Sequence, residues 1–492
     1  MRLTELAEGT TIEMVPEAAI EPIEIEGLSA DSRQVAPGFL FAALPGSTAD
    51  GRAFIDEAVA KGAVAVLGPN GTRLKNYGRP VALLTDDNPR RRLALMAAQF
   101  YGRQPRIIAA VTGTNGKTSV ADFTRQIWQH CGRKAASLGT LGLVPEHPAA
   151  PPALTTPDPV ALQRCLAALA GDGFDYLAME ASSHGLDQFR LDGVRVTAAA
   201  FTNLSRDHLD YHDGMEAYLA AKLRLFTDLL RDGGLAVINA DVPEAEAIKA
   251  AVAERDVTVL SYGQAGHALR LIERTPSSDG QALTLDVLGE RHSVQLPLAG
   301  TFQASNVMAA LGLAIATGAA PGAALAALPH LAGVHGRMEL VARTPNGAAV
   351  YVDYAHTPDA LETVLTALRP HTKGRLFVVF GCGGDRDPGK RPLMGDAAQR
   401  LADVAIVTDD NPRNEDPAAI RQQALAAAPD AREIGNREDA IAQAVEELGP
   451  GDLLVIAGKG HETGQTVGGE VLPFDDRAVA QAAVAALSGG AA

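Results

Sequence analysis

Lys117 and Thr118 sit near the end of the run Val111-Thr112-Gly113-Thr114-Asn115-Gly116-Lys117-Thr118-Ser119, whose residue types suit one chemistry. In a glycine-rich loop that opens a helix, successive backbone N–H groups face an anion. A lysine adds a point charge there, and a hydroxyl can ligate Mg2+. The usual phosphate-loop pattern has a glycine where this chain has Val111, so Gly113 must supply the turn. Glu180 opens a second cluster, Glu180-Ala181-Ser182-Ser183-His184-Gly185. A carboxylate there suits a Mg2+ that bridges nucleotide phosphates, and it equally suits the cap of a following helix. His208, between Asp207 and Asp210, reads as a metal ligand, an orienting group or a structural histidine. Lys222 lies among Ala220, Ala221 and Leu223, where a lysine ordinarily extends its head to solvent. Arg386, Arg413 and Glu462 could hold the two ends of a zwitterionic amino acid, because arginine forks onto carboxylates. Arginines at strand ends are also ordinary surface residues.

These residues need elements that aim them. Ile107 to Val111 reads as a buried parallel strand, and the segment after Lys117 is helical, with Val120, Phe123, Thr124, Ile127 and Trp128 on one face. Strands are expected at Tyr176–Met179 and Val196–Phe201, ending in the Glu180 cluster and in Thr202-Asn203-Leu204-Ser205-Arg206-Asp207-His208. Open α/β sheets bind ligands at such strand ends. A helix from about Met215 to Leu230 carries Lys222, a strand spans Leu235–Ile238, and antiparallel strands fill about Leu269 to Leu298.

Residues 1–105 read as a small α/β unit, 106–332 as the segment around the loop, and 333–492 as a second doubly wound unit. The last has strands Ala349–Val352, Leu376–Phe380, Val404–Val407 and Leu453–Ile456, each leading into a helical segment. Thr-Asp-Asp-Asn-Pro-Arg occurs twice, at Thr85–Arg90 and Thr408–Arg413. Either copy could simply cap a helix, with proline in the first turn.

The 492 residues include 47% hydrophobic and 21% charged side chains, as expected of a globular chain of about three domains. A net charge of −16 argues against a general nucleic-acid binder. Three scattered cysteines fit neither a disulfide framework nor a zinc cluster, and the acidic N-terminus is no signal peptide, so a cytoplasmic location is expected. Ala309 to Leu331 is apolar but interrupted by Gly312, Gly318, Pro321 and Gly322, which reads as two buried helices and no membrane span.

The loop at Thr112–Ser119, the segments Glu180–Leu186 and Asn203–Asp210, Asn306 and Asp353–Thr357 resemble, in order, the blocks of the Mur ligases, ATP-dependent amide-forming enzymes of peptidoglycan synthesis. Glu180–Leu186 and Gly381–Arg391 resemble the branch that adds meso-diaminopimelate to UDP-N-acetylmuramoyl-L-alanyl-D-glutamate. The resemblance implies an α/β protein of three domains: a small one for the UDP-muramoyl substrate, a central phosphate-loop ATPase sheet, and a C-terminal Rossmann-like sheet for the amino acid. It implies ATP and Mg2+, an acyl-phosphate intermediate, small-molecule substrates and a monomer.

The resemblance also assigns residues. Gly113, Thr114, Asn115, Gly116, Lys117, Thr118 and Ser119 match the ATP loop, with Asn306, Arg337, Asp353 and His356 at further nucleotide positions. Lys222 matches the family's carbamylated lysine, a CO2 adduct that with His208 would hold a second Mg2+ beside that of Thr118 and Glu180; Lys117, His208 and Lys222 are the implied catalytic residues. Ala30, Ser32, Ser47, Thr48, Ala49, Thr155, Thr156, Ser182, Gln188 and Arg190 match the UDP-muramoyl dipeptide site, with Ala30 standing where a larger apolar residue is expected. Arg386, Asp410, Asn411, Pro412, Arg413, Gly458 and Glu462 match the amino-acid site, so that Arg413 binds substrate while Arg90 is structure at a helix start or domain edge. Another Mur ligase or a folylpolyglutamate-type synthetase would share the loop but not the Arg386, Asn411–Arg413 and Glu462 set. A nucleotide-binding scaffold without turnover would have no need of Lys117, Thr118, Glu180, His208 and Lys222 together.

Overall fold

In the computed structural model, residues 1–17, 23–46, 49–151, 154–209, 211–277 and 280–489 are described. The chain forms two compact units, Met1–Tyr262 with Ala309–Ala324, and Gly263–Met308 with Leu325–Ala492.

The first unit contains two sheets. The N-terminal one has the order Ile12–Val15, Val81–Asp86, Ala65–Pro69, Phe39–Ala42, Gly27–Ser29, with only the first strand antiparallel to its neighbour. Helix Pro89–Tyr101 buries Leu93, Met96 and Ala97 against it. The second sheet brings Val257–Gly263, Leu230–Asn239, Val196–Phe201, Ile107–Thr112, Tyr176–Glu180 and Ala135–Gly139 together in parallel, with Gly142–Val144 antiparallel at the edge. Ile107–Thr112 lies in its middle and is covered on both faces, which is why it reads as a continuous apolar run. Its register sets Val111 beside Glu180 and Thr112 beside Phe201, so three strand ends meet at the glycine loop. Helix Lys117–His130 buries Val120, Phe123, Thr124, Ile127 and Trp128 as expected. The Trp128 indole donates to Thr317 Oγ1 at 2.9 Å.

The second unit also follows the sequence pattern in outline. Three antiparallel strands, Leu269–Ser277, Gly280–Val287 and Glu290–Leu296, lead into helix Thr301–Ala316, whose residues from Ala309 onward, with the first four of helix Pro321–Ala327, belong to the first unit. A six-stranded sheet follows, in the order Glu339–Arg343, Ala349–Asp353, Leu453–Ala457, Leu376–Phe380, Val404–Val407, Arg432–Glu433. All neighbours are parallel except the first pair. Parallel strands in a doubly wound sheet leave their C-terminal ends at one edge, which gathers the clusters after Asp353, Phe380, Val407 and Ala457. The last of these strands departs from the expected pattern. A two-stranded hairpin, Gly464–Val467 with Glu470–Pro473, intervenes before helix Asp476–Gly489. No described helix is long and apolar enough to cross a membrane.

Candidate active site

The phosphate loop is held from behind. Gly113 has φ 145°, and a Cβ on it would lie 1.9 Å from Thr202 Oγ1, so the close turn admits only glycine. Thr202 Oγ1 donates to Asn115 O at 2.6 Å, Asn115 N–H donates to Asn203 Oδ1 at 3.0 Å, and Thr114 N–H donates to Asn203 O at 2.8 Å. The residues after Phe201 therefore brace the loop. Gly116 caps helix Lys117–His130 with φ 87°.

Lys117 Nζ donates to Gly113 O at 3.1 Å and Thr114 O at 2.8 Å. Lys222 Nζ donates to the same Gly113 carbonyl at 2.8 Å. Lys222 is not the solvent-facing lysine that its helix alone suggests. It is 1% exposed, with Nζ 4.2 Å from the centre of the Tyr218 ring. The helix ends earlier than expected, at Arg224, and widens into a π-turn over Leu225–Leu229. Burial, with the nearby Lys117 charge, pulls the Lys222 ammonium down to about 6, while Asp207 opposes the shift. Two lysines on one carbonyl cannot both be comfortably charged in a buried site, and the deeper one yields its proton. Tyr218, whose hydroxyl lies 3.2 Å from Thr114 Oγ1, is pushed by burial to about 12 and stays a neutral partner.

Glu180 is buried, and its carboxylate accepts from Thr140 N–H at 2.7 Å and Thr140 Oγ1 at 3.3 Å. Glu180 does not cap the next helix; Ser182 does, accepting from Gly185 N–H at 3.1 Å. Thr118 and Glu180 line one small cavity with Asp122, Ser137 and Gly139. A hydroxyl and a carboxylate beside a phosphate cradle are the hard oxygen donors that Mg2+ prefers. His208 has φ 54° and lies by Asp207, with its ring 4.8 Å from that of His184. Asp210 lies outside the described residues. Among the described residues no group of three or more His, Cys, Asp or Glu side chains forms a metal-binding cluster.

Of the residues matched to the peptide substrate, Thr155, Thr156, Ser182, Gln188 and Arg190 form one hydrogen-bonded group, Thr155 joining it through Thr140 and Glu180. Ser182 N–H and Oγ donate to Thr156 Oγ1 at 3.0 and 2.9 Å, and Thr155 Oγ1 lies 3.1 Å from Thr140 Oγ1. Arg190 donates to Thr156 O at 2.8 Å and to Gln188 Oε1 at 2.7 Å. Ala30 and Ser32 follow strand Gly27–Ser29, where the Ser32 hydroxyl donates to Glu57 at 2.9 Å. No hydrogen bond among the described residues joins them to the threonine group. Ala49 accepts from Gly46 N–H at 3.0 Å, and Ser47 and Thr48 lie outside the described residues.

In the second unit, Asn306 donates to Gln303 at 3.1 Å on helix Thr301–Ala316. Asp353 is buried and accepts from Met338 N–H at 2.6 Å and Ala355 N–H at 2.8 Å. Burial raises its carboxyl above the usual range, while Arg337 draws it back. The Arg337 guanidinium lies 4.5 Å from the centre of the Tyr354 ring, which also packs against His356 and His461.

The amino-acid set converges at the strand ends of the same unit. Asn411 Nδ2 donates to Glu462 Oε2 at 2.9 Å, and Asn411 Oδ1 accepts from Thr466 N–H at 2.9 Å and Lys459 Nζ at 3.2 Å. Gly458, at φ 119°, lets Asp410 approach so closely that a Cβ would lie 2.5 Å from its Oδ2. Arg413 takes φ 50° and donates to Gly384 O at 2.7 Å. Pro412 lies beside Gly384, and Arg386 is exposed nearby. The hairpin Gly464–Pro473 is stitched to this loop by Arg413 N–H to Thr466 O at 3.0 Å and Gly468 N–H to Arg413 O at 2.7 Å. Lys459 and Arg391 are braces that sequence reasoning overlooked. Lys459 is fully buried and also pairs with Glu462 at 3.3 Å, while buried Arg391 joins Gly383 O to Glu415. The only hint was their position inside the motif segments.

This fold is that of a known class. Three family models match in sequence: the Mur ligase catalytic domain over residues 24–101, the middle domain over 111–314 and the glutamate ligase domain over 336–460. The chain belongs to the Mur ligase family and is, with it, an ATP-dependent enzyme that forms amide bonds. Among its relatives, a protein of Caulobacter vibrioides is 56% identical over 93% of this chain and 95% of its own length. One of Brucella melitensis is 53% identical over 99% of each. Both are named UDP-N-acetylmuramoyl-L-alanyl-D-glutamate–2,6-diaminopimelate ligase. A solved structure of a ligase of that name superimposes with a TM-score of 0.75 at 34% identity over 99% of each chain.

Proposed function

We propose that this chain joins an amine of meso-2,6-diaminopimelate to the D-glutamyl side-chain carboxylate of UDP-N-acetylmuramoyl-L-alanyl-D-glutamate, at the expense of ATP. The observation that carries the reading is the constellation of Asn411, Arg413 and Glu462 with Gly458 at one set of strand ends. An acceptor carboxylate suits an ammonium, and a guanidinium suits a carboxylate. Diaminopimelate has a second carboxylate that lysine lacks, and Arg413 is the residue assigned to it. Arg386, Asp410 and Pro412 complete that site. The names of the relatives agree with this substrate.

In the proposed reaction the substrate carboxylate attacks the γ-phosphorus of ATP, ADP leaves, and an acyl phosphate results. The amine then adds to the acyl carbon, loses a proton, and the tetrahedral intermediate expels phosphate. Lys117 neutralises charge on the transferring phosphoryl group, and the loop N–H groups from Gly113 to Ser119 bind the phosphates. Asn306, Arg337, Asp353 and His356 are assigned to the nucleotide. Thr118 and Glu180 would hold Mg2+, which when bound adds positive charge beside the same phosphates. Buried Lys222, neutral near pH 7, can bond the carbon of CO2 and release a proton. That adduct is an anion able, with His208, to hold a second Mg2+. Thr155, Thr156, Ser182, Gln188 and Arg190, together with Ala30, Ser32 and Ser47–Ala49, are assigned to the UDP-linked peptide. Division at 1–105, 106–332 and 333–492 gives each substrate a domain, in a monomeric cytoplasmic protein. The test is ADP release. Release beyond one ADP per enzyme is expected only when ATP, the UDP-muramoyl dipeptide and diaminopimelate are all present. Release with a folate and glutamate instead would overturn the reading.

A further inference from the structure

The first copy of the repeated motif, Thr85–Arg90, has no place in the sites described so far. Asn88 caps helix Pro89–Tyr101 by accepting from Arg91 N–H, and the arginines that follow diverge. Arg92 pairs with Asp86 at 2.7 Å, and Arg91 pairs with buried Asp192 at 3.0 Å. Gly193 lies so close to the same helix that a Cβ on it would stand 2.7 Å from the Ala98 Cβ. The helix start is thus fastened to the turn that carries Arg190. Arg90 Nη2 donates to Pro45 O, in the loop that leads to Ala49. Arg190 donates to Thr156 O and to Gln188 Oε1, both neutral acceptors. Among the described residues, neither Arg90 nor Arg190 has a carboxylate within ion-pair distance. Burial lowers the Arg190 pKa, the Arg90 charge lowers it further, and Asp158 and Tyr211 oppose the shift from beyond ion-pair distance without cancelling it. Like charges brought together in a half-buried site repel, unless an anion joins them.

We propose that Arg90 and Arg190 form a two-arginine clamp for an anionic group of the nucleotide-linked peptide, its diphosphate or a peptide carboxylate. Arg90 is then a substrate-binding residue as well as helix structure. The clamp rests on the proposed function, because that reading supplies the substrate.

The test is calorimetric titration of wild type and Arg90→Gln with UDP-N-acetylmuramoyl-L-alanyl-D-glutamate and with UDP. Glutamine keeps a donor for Pro45 O and removes the charge. The dipeptide Kd is expected to rise about ten- to a hundred-fold, the weight of one hydrogen bond to a charged group. The KM values for ATP and diaminopimelate should stay as they are. Equal weakening of UDP assigns the diphosphate, and weakening of the dipeptide ligand alone assigns a carboxylate. Wild-type affinity should also fall more steeply with salt than that of the variant. Unchanged affinity in Arg90→Gln, or equal salt dependence, would overturn the clamp alone. Wild-type protein that binds neither ligand would refute the function, and the clamp with it.

Discussion

Replacing Lys222 by methionine should stabilise the protein and sharply reduce its turnover. The side chain is 1% exposed and its ammonium titrates at about 6 instead of 10.5. Between those values the unfolded chain holds a proton that the folded chain does not. Stability contributed by this group therefore rises with pH across that window, and its penalty is full below about 6 and gone by 10.5. At ~1.4 kcal/mol per tenfold change in protonation, the penalty near neutrality is on the order of a few kcal/mol. Methionine has a similar length and carries no charge to desolvate. Against this stands the lost hydrogen bond to Gly113 O, worth about 1 kcal/mol. The net expectation is a higher unfolding midpoint, by roughly 2–4 °C per kcal/mol retained, with the gain shrinking as pH rises toward 10.5. Calorimetry of both proteins at several pH values in CO2-free buffer, where Lys222 is the free amine, measures it. Turnover should fall by about a hundred- to a thousand-fold, as when a charge-stabilising group is removed, and short carboxylates should partly restore it in a Lys222→Ala variant, which leaves room for them. A methionine variant that melts below wild type across the pH range would refute the burial argument. Near-normal turnover would refute the carbamate.

Two further substitutions bear on the second unit. Arg413→Ala should raise the KM for diaminopimelate about ten- to a hundred-fold and leave that for ATP nearly unchanged, as steady-state kinetics will show. Arg437 forks onto Asp476 with two 2.7 Å bonds in a fully buried pair, so Arg437→Met should cost about 3–5 kcal/mol in urea unfolding by stranding the carboxylate; a loss below about 1 kcal/mol would mean that Asp476 finds another partner or a proton.

The legible parts of this fold are those written in contiguous residues. Ile107–Thr112, Val196–Phe201 and Leu376–Phe380 are buried on both faces, so their apolar runs declare parallel strands, and the polar clusters after them declare the ligand edge. Lys222 was not legible in isolation. Its alanine-rich helix has no pronounced polar face, and the carbonyl that holds it belongs to Gly113, 109 residues away. The same distance problem hid Lys459, whose partner Asn411 lies 48 residues before it. The hairpin Gly464–Pro473 was missed because its strands are short and mostly polar or exposed, and its pairing partner at Arg413 is remote. Arg90 looked like helix-start structure because its sequence context is a complete helix cap. Its second neighbour, Arg190, is brought near by the Arg91–Asp192 pair and the packing of Gly193 on the helix.

The most direct test of the proposed function is the mass of the amide product formed from ATP, Mg2+ and UDP-N-acetylmuramoyl-L-alanyl-D-glutamate with equimolar meso-diaminopimelate and lysine. The account predicts the diaminopimelate tripeptide, with one ADP released per amide bond. A product carrying lysine in preference, or no amide at all, would contradict it.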